Sequence, residues 1–180
     1  MNNSKNIKLV GKNIYLRPVQ VSDATKEYVS WLNDPEINQY LESRFARHTL
    51  KGLKKHIKKV SRDKKFVFLA IVRKDSDKHI GNIKLSILDK NHKLAEIGIM
   101  IGDKGSWGHG FAGEVIDLLT DFAFKKLKLH KIIAGAYEGN IGSIKTFVKR
   151  GYIIEGAQKK HYFCNGRWMD KILMAKFNKA

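Results

Sequence analysis

The stretch that most constrains this chain is Gly105-Ser106-Trp107-Gly108-His109-Gly110-Phe111-Ala112-Gly113, in which four of nine residues are glycine. It follows a β-branched run ending at Ile101 and precedes Val115, Leu118, Leu119 and Phe122, which recur at helical spacing. A strand, a glycine turn and an amphipathic helix in that order bring unpaired N–H groups and the positive end of a helix dipole to one point. Few side chains stand in the way, and such a point binds phosphate. The turn lacks the Gly-Lys-Ser/Thr of a nucleotide-hydrolysing loop. It also comes late in the chain, without the acidic residue that a dinucleotide fingerprint needs on a following parallel strand.

The remaining pattern alternates strands and helices. Asn13 to Arg17 reads as a short strand stopped by Pro18, and Ser22 as the N-cap of a helix carrying Tyr28, Val29, Trp31 and Leu32. Asn33-Asp34-Pro35 ends that helix. A short helix over Glu36 to Leu41 follows, and then Thr49 caps a helix with Leu50, Leu53, Ile57 and Val60 on one face and a very basic opposite face. Phe66 to Val72, Ile80 to Leu88 and Leu94 to Ile101 predict an antiparallel meander. After the glycine turn and its helix, Lys131 to Ala136 returns to strand, and a helix from Ile141 to Lys149 ends at Gly151. Tyr152 to His161 and Trp168 to Phe177 form a hairpin closed by Asn165-Gly166. The expected fold is α+β (α/β): one domain over residues 1–180 around a mixed sheet of about seven strands, a meander followed by a β-turn-α-β crossover.

Charge and composition narrow the partners. Thirty-five basic residues against 17 acidic ones give +18, a field that steers anions without choosing among phosphorylated cofactors, nucleotide sugars, RNA or acidic membranes. The single cysteine, Cys164, excludes an internal disulfide and fits a reducing cytoplasm; it is read as structural. Residues 1–5 lead into no apolar signal region, and no run approaches the roughly 18 apolar residues of a membrane span. A cytoplasmic protein without membrane insertion is expected. The seven histidines have no metal-ligand spacing, so no metal is expected. Lys51 to Lys65 holds eight basic residues with little aromatic interleaving, a solvated helix face before a nucleic-acid site.

Four blocks carry a family resemblance: Leu16-Arg17-Pro18 with Asp23; Ala95 to Ile101; Trp107 to Glu114; and Asn140-Ile141-Gly142-Ser143 followed by Lys149-Arg150-Gly151-Tyr152. On these the chain resembles the GNAT superfamily of acetyl-CoA-dependent acyltransferases, and within it the RimJ/RimL-like group. The resemblance implies that the fourth and fifth strands splay to admit the pantetheine arm, which the main chain of Ile97 to Ile101 would hold. Ile99, Met100 and Ile101 are the cofactor contacts there, with the amide near Met100 beside the thioester. Trp107, Gly108, His109, Gly110, Phe111, Ala112 and Gly113 would bind the pyrophosphate. Asn140 would contact the cofactor, and Ser143 would lie near the sulfur. The family commonly has Gln or Arg where Trp107 stands. Many members have a tyrosine that protonates the leaving thiolate where this chain has Phe147; that side chain faces the cofactor by analogy but has no proton to donate.

Transfer needs a neutral amine, and Glu96, where the family often carries a glutamate on the strand beside the thioester, is the candidate base, with a solvent-facing strand residue or a buried ion pair as the plain alternative and other bases open. Ser143 or a water is the candidate acid, unless the thiolate leaves unaided. Trp31, Asn33, Tyr40, Arg44 and Phe45, with Glu96, are the acceptor-side candidates. Their run resembles relatives that acetylate nucleotide-linked amino sugars, with Arg44 meeting the diphosphate; ordinary core packing of Trp31, Leu41 and Phe45 is the plain alternative. Acetylation of a protein N-terminus, as in ribosomal members, and a silent acetyl-CoA-binding module are the competing functions. A homodimer is compatible with each.

Overall fold

In the strand Phe66–Arg73, Val67, Leu69 and Ile71 alternate with Phe68, Ala70 and Val72, and both sets are apolar, so this strand has to be covered on two faces. The structure, a computed structural model describing residues 7–179, supplies both covers. Strands β1 (Leu9–Val10), β2 (Ile14–Pro18), β3 (Phe66–Arg73), β4 (His79–Asp89), β5 (Leu94–Ile101), β6 (Lys131–Tyr137), β7 (Ile153–Cys164) and β8 (Arg167–Phe177) form one sheet in the order β1-β2-β3-β4-β5-β6-β8-β7. Every neighbouring pair is antiparallel except β5 and β6, which the crossover helix α4 (Phe111–Lys125) makes parallel. With α5 (Ile141–Lys149), α4 covers one face, burying Val115, Ile116, Leu119 and Phe147 against Leu69, Ile71, Ile83, Ala95 and Ile132. On the other face, α1 (Lys26–Asn33) and α3 (Leu50–Val60) bury Tyr28, Trp31, Leu53 and Ile57 against Ala70 and Val72. That second cover spans only the β2–β4 half of the sheet. Around Gly98 on β5 and Gly135 on β6 the same face stays exposed, and this asymmetry positions the site.

The architecture matches the expected single mixed sheet with its meander and crossover. The eighth strand is the two-residue β1, too short for a periodic signal, which pairs Leu9 with Leu16. Helix α1 starts after Thr25, whose hydroxyl accepts from Tyr28 N at 3.1 Å, and not at Ser22. The reason is Asp23: its carboxylate accepts from both Arg17 guanidinium nitrogens at 2.7 and 2.8 Å and from Gln20 N at 2.7 Å, which closes a 3-10 turn over Val21–Asp23. Pro18 ends β2 from within it, at a strand end where no ladder donor is required. Helix α2 is shorter than expected, covering Pro35–Asn38, with Asp34 as its cap and Asn38 tied back to Leu32 O. Thr49 caps α3 through Gly52 N, and Asn165 and Gly166 both have positive φ at the hairpin tip, as that turn type demands. The reading of residues 1–5 lies outside the described residues. Among the described residues no helix is long and apolar enough to cross a membrane.

Candidate active site

The parallel ladder between β5 and β6 has only three rungs, Leu94–Lys131, Ala95–Ile132 and Glu96–Ile133. Beyond Glu96 the two strands part, β5 continuing to Ile101 beside β4 and β6 to Tyr137 beside β8. The result is a V with its apex at Glu96. On the β6 side Lys131 N donates to Lys93 O at 3.3 Å, and on the β4 side Gly102 N donates to Ile80 O at 2.8 Å. Strand alternation then turns the main chain of Ile97, Ile99 and Ile101 toward the gap and that of Gly98 and Met100 toward β4. The expected role of the Met100 amide is thereby corrected: its main chain belongs to the β4 ladder, and its side chain packs with the α1–α3 cluster. The amides of Ile97 and Ile99 are the ones that line the gap.

The glycine turn stands at the wide end of the V. Gly108 and Gly110 both have φ of +78°, and Gly110 is the N-cap of α4 with no side-chain cap on the helix. Among the described residues, the N–H groups of Gly108 to Ala112 have no internal acceptor, so five donors converge where the helix dipole is positive. Trp107 donates its indole N–H to Ile101 O at 2.9 Å, closing the last outward carbonyl of β5. It acts on the turn's shape where a Gln or Arg would act as a polar contact. Gly113 is small for a reason the sequence concealed: a Cβ there would lie 2.9 Å from Nε of Arg150, whose guanidinium is held by Asp117 at 3.0 Å. Arg73 lies over the Phe111 ring at 5.6 Å, and a cavity of about 330 Å³ lined by Lys12, Asn13, Lys74, Asp75 and Phe111 adjoins the turn. Lys12 and Lys74 bring positive charge beside the turn, while Arg73 is paired with Asp75.

On the open face the V is flanked by two residues without side chains, Gly98 on β5 and Gly135 on β6. Nothing lies within 4 Å of a Cβ built at Gly98. A cavity of about 270 Å³ occupies this face, with Glu96, Ile133, Gly135, Glu155, Lys171 and Leu173 in its lining. Along the same face of β6 comes Tyr137, stacked on Tyr162 at 3.9 Å between ring centroids and tilted against Tyr40 at 5.4 Å. Tyr137 donates its hydroxyl to the carboxylate of Glu42 and accepts from Arg44 Nη1 at 2.6 Å. Burial first, then the bond to Glu42, pushes the Tyr137 hydroxyl up to about 12. Burial also raises Tyr162, with Glu42 and Glu96 adding their negative fields. Glu42 is thus bonded to the tyrosine stack, and Glu96 lines the neighbouring cavity with its negative field reaching Tyr162.

The structure distributes the acceptor-side residues unevenly. Glu96 lines the cleft, and Tyr40 packs against Tyr137, Cys164 and Met169. Trp31 is core: it is 5% exposed, packs on Tyr28 and His79, and fills the space that a Cβ on Gly102 would need. Asn33 pins a loop, exchanging hydrogen bonds with the main chain of His48 at 2.9 and 3.0 Å. Arg44 spends its guanidinium on Leu41 O, Tyr137 Oη and Phe163 O, all within 2.9 Å, and Phe45 lies exposed beneath it at 4.1 Å. A diphosphate would have to compete with those three bonds. Asn140 caps α5, its Oδ1 accepting from Ser143 N at 3.2 Å, so both residues first define a helix terminus. Phe147 is 3% exposed and edge-on to Tyr152 at 5.0 Å, packed into the core under α4 and α5.

A sheet split over a glycine-bound helix N-terminus defines a class of proteins that thread a phosphorylated, pantetheine-like donor through the V. The model of the acetyltransferase (GNAT) domain matches residues 13–153, and the chain belongs to that family of acetyl-CoA-dependent N-acetyltransferases. The probable N-acetyltransferase YjcK of Bacillus subtilis is 32% identical over 181 residues, covering 94% of this chain and 97% of that protein. Among solved structures, a spermidine N-acetyltransferase from Vibrio cholerae in complex with CoA and spermine superposes with a TM-score of 0.83 at 24% identity, over 92% of this chain and 96% of that one. A ribosomal-protein-S5-alanine acetyltransferase from Vibrio fischeri gives 0.78 at 23% identity, over 97% and 98%. At those identities the structures establish the fold alone.

Proposed function

We propose that the chain moves the acetyl group of acetyl-CoA directly to a small cationic primary amine bound on the open face beside Glu96, in a ternary complex. The observation that carries this is the end of the β5–β6 ladder at Glu96–Ile133, which leaves a carboxylate at the apex of the V. The N–H groups of Gly108 to Ala112 hold the pyrophosphate, and the main-chain edges of Ile97 and Ile99 orient the pantetheine arm and receive charge that develops on the carbonyl oxygen. Glu96 takes the proton of the ammonium, directly or through a water, and the freed lone pair attacks as the C–S bond breaks. The attacking nitrogen sheds its second proton as the amide forms, and that proton is relayed to the thiolate through Ser143 or solvent, since Phe147 has none to give.

Glu42, Glu96 and the stacked Tyr137 and Tyr162 support a cationic acceptor of the di- or polyamine kind, because carboxylates and aromatic faces both attract ammonium groups. Spermidine N(1)-acetyltransferase of Vibrio cholerae is 32% identical over 100 residues, 55% of this chain, which supports the same reading. An amino group of a nucleotide-linked sugar is the second reading, supported by the net charge and by Lys171, a cation in the cleft with no carboxylate partner among the described residues. CoA release measured with spermidine, nucleotide-linked amino sugars and N-terminal peptides separates these. Diamines and polyamines are expected to turn over. Turnover confined to the nucleotide sugars or to peptides overturns the cationic reading, and tight acetyl-CoA binding without turnover of any amine makes the chain a silent module.

Gly98 offers a second test. A Cβ at Gly98 meets no atom within 4 Å, so Gly98→Leu adds a branched side chain on the open face beside the proposed donor slot. Its expected result is unchanged melting and acetyl-CoA affinity with kcat/KM for the amine lowered about 100-fold, roughly 2.7 kcal/mol. Full activity in that variant places the acceptor elsewhere.

A further inference from the structure

Lys171 enters the cleft from β8, one strand beyond the V. It pairs in register with Tyr137, yet its side chain runs diagonally back across Gly135, where an added Cβ would lie 2.5 Å from Lys171 Cε and 3.4 Å from Nζ. Its Nζ also stands 5.8 Å from the Tyr162 ring centroid, and it shares the 270 Å³ cavity with Glu96. The lysines on either side are neutralised, Lys131 by Glu155 and Lys159 by Asp170, each at 2.7 Å. Among the described residues no carboxylate does this for Lys171. Gly135 is thus small because a lysine crosses it, toward the strand edge that bounds the donor's slot.

A lysine side chain ends in a 4-aminobutyl group, the same group that a polyamine presents. We infer that Lys171 is an internal acceptor, and that the chain acetylates its own Lys171 when acetyl-CoA is bound and no free amine fills the cleft. The inference rests on the transfer chemistry proposed above. Glu96 removes one proton from Nζ, the N–C bond to the acetyl carbonyl forms as the C–S bond breaks, and the second proton that the nitrogen sheds passes to the departing thiolate, so that CoA leaves as its thiol. One acetyl-CoA is consumed per chain. The product side chain is neutral, longer and without a nucleophile, so modification changes the charge of the cleft and fills part of it.

The test is incubation of the full chain with acetyl-CoA alone, followed by intact mass and tryptic mapping. One acetyl group is expected at Lys171, appearing at least about tenfold faster than at any surface lysine because the amine is held at the donor. The rate is expected to be independent of protein concentration and slowed by added spermidine. Lys171→Arg is expected to lose the modification while melting unchanged, and heat-unfolded chain is expected to lose the preference for this site. Turnover of a free amine with Lys171 unmodified overturns the inference and leaves the proposed function intact. Acetylation spread evenly over the lysines, in folded and unfolded chain alike, overturns it as ordinary chemical modification. Failure of both Lys171 and every free amine, with acetyl-CoA still bound, brings down the transfer reading as well.

Discussion

Glu96→Gln is expected to lower kcat by about 100-fold to 1,000-fold while leaving the dissociation constant of acetyl-CoA within about twofold. Glutamine keeps the shape and most of the hydrogen bonding of glutamate, so the substitution removes little except the capacity to take a proton. Glu96 sits on the last rung of the β5–β6 ladder, at the apex of the V and in the lining of the cavity proposed for the acceptor, away from the turn proposed to hold the pyrophosphate. Loss of turnover with loss of cofactor affinity would mean a damaged sheet instead. Because the role is removal of a proton from an ammonium, the variant is expected to recover part of its rate as pH rises and the free amine becomes available unaided. A variant that matches the parent at every pH would show that the amine loses its proton by another route, and Glu96 would then be a structural residue of the strand.

The donor half of the proposed site could be placed from the sequence because it is local. A glycine turn between a strand and a helix announces itself within nine residues, and the main-chain donors it supplies do not depend on which side chains surround them. The acceptor half is non-local. Glu42, Tyr137, Tyr162 and Lys171 come from a 3-10 turn, the end of β6 and both arms of the hairpin, and the register shift in β7 between Gln158 and Tyr162 re-aims Tyr162 in a way no period of two would show. Gly98 and Gly135 were visible as glycines within strands, the usual mark of a close approach, but only the sheet order reveals that they flank the same gap. The readings that failed are equally physical. Trp31 and Phe147 are aromatic residues near expected site positions that the two cores absorbed, and Arg44 is a cation whose donors satisfy main-chain carbonyls nearby. Sequence spacing could locate these residues but not count their remaining hydrogen bonds.

Gly110→Trp is expected to weaken acetyl-CoA binding by about 100-fold or more while the chain still folds. Two effects act together. A residue with a Cβ at φ of +78° costs on the order of 1–2 kcal/mol, which distorts the N-cap of α4 and tilts the amides of Phe111 and Ala112 away from a common focus. The indole also projects into the space where the anion would sit, and each charge-assisted bond lost there is worth about 1.5–3 kcal/mol. No atom lies within 4 Å of the added Cβ, so the first side-chain atom meets nothing, and the backbone cost is expected to dominate the drop in melting temperature. Gly110→Ala separates the two effects, since alanine bears the same backbone cost but obstructs little; it is expected to bind acetyl-CoA more tightly than the tryptophan variant and more weakly than the parent. Isothermal titration of the three proteins decides the matter. Equal affinity in all three would move the pyrophosphate off the α4 terminus, and with it the reason for a glycine at this position.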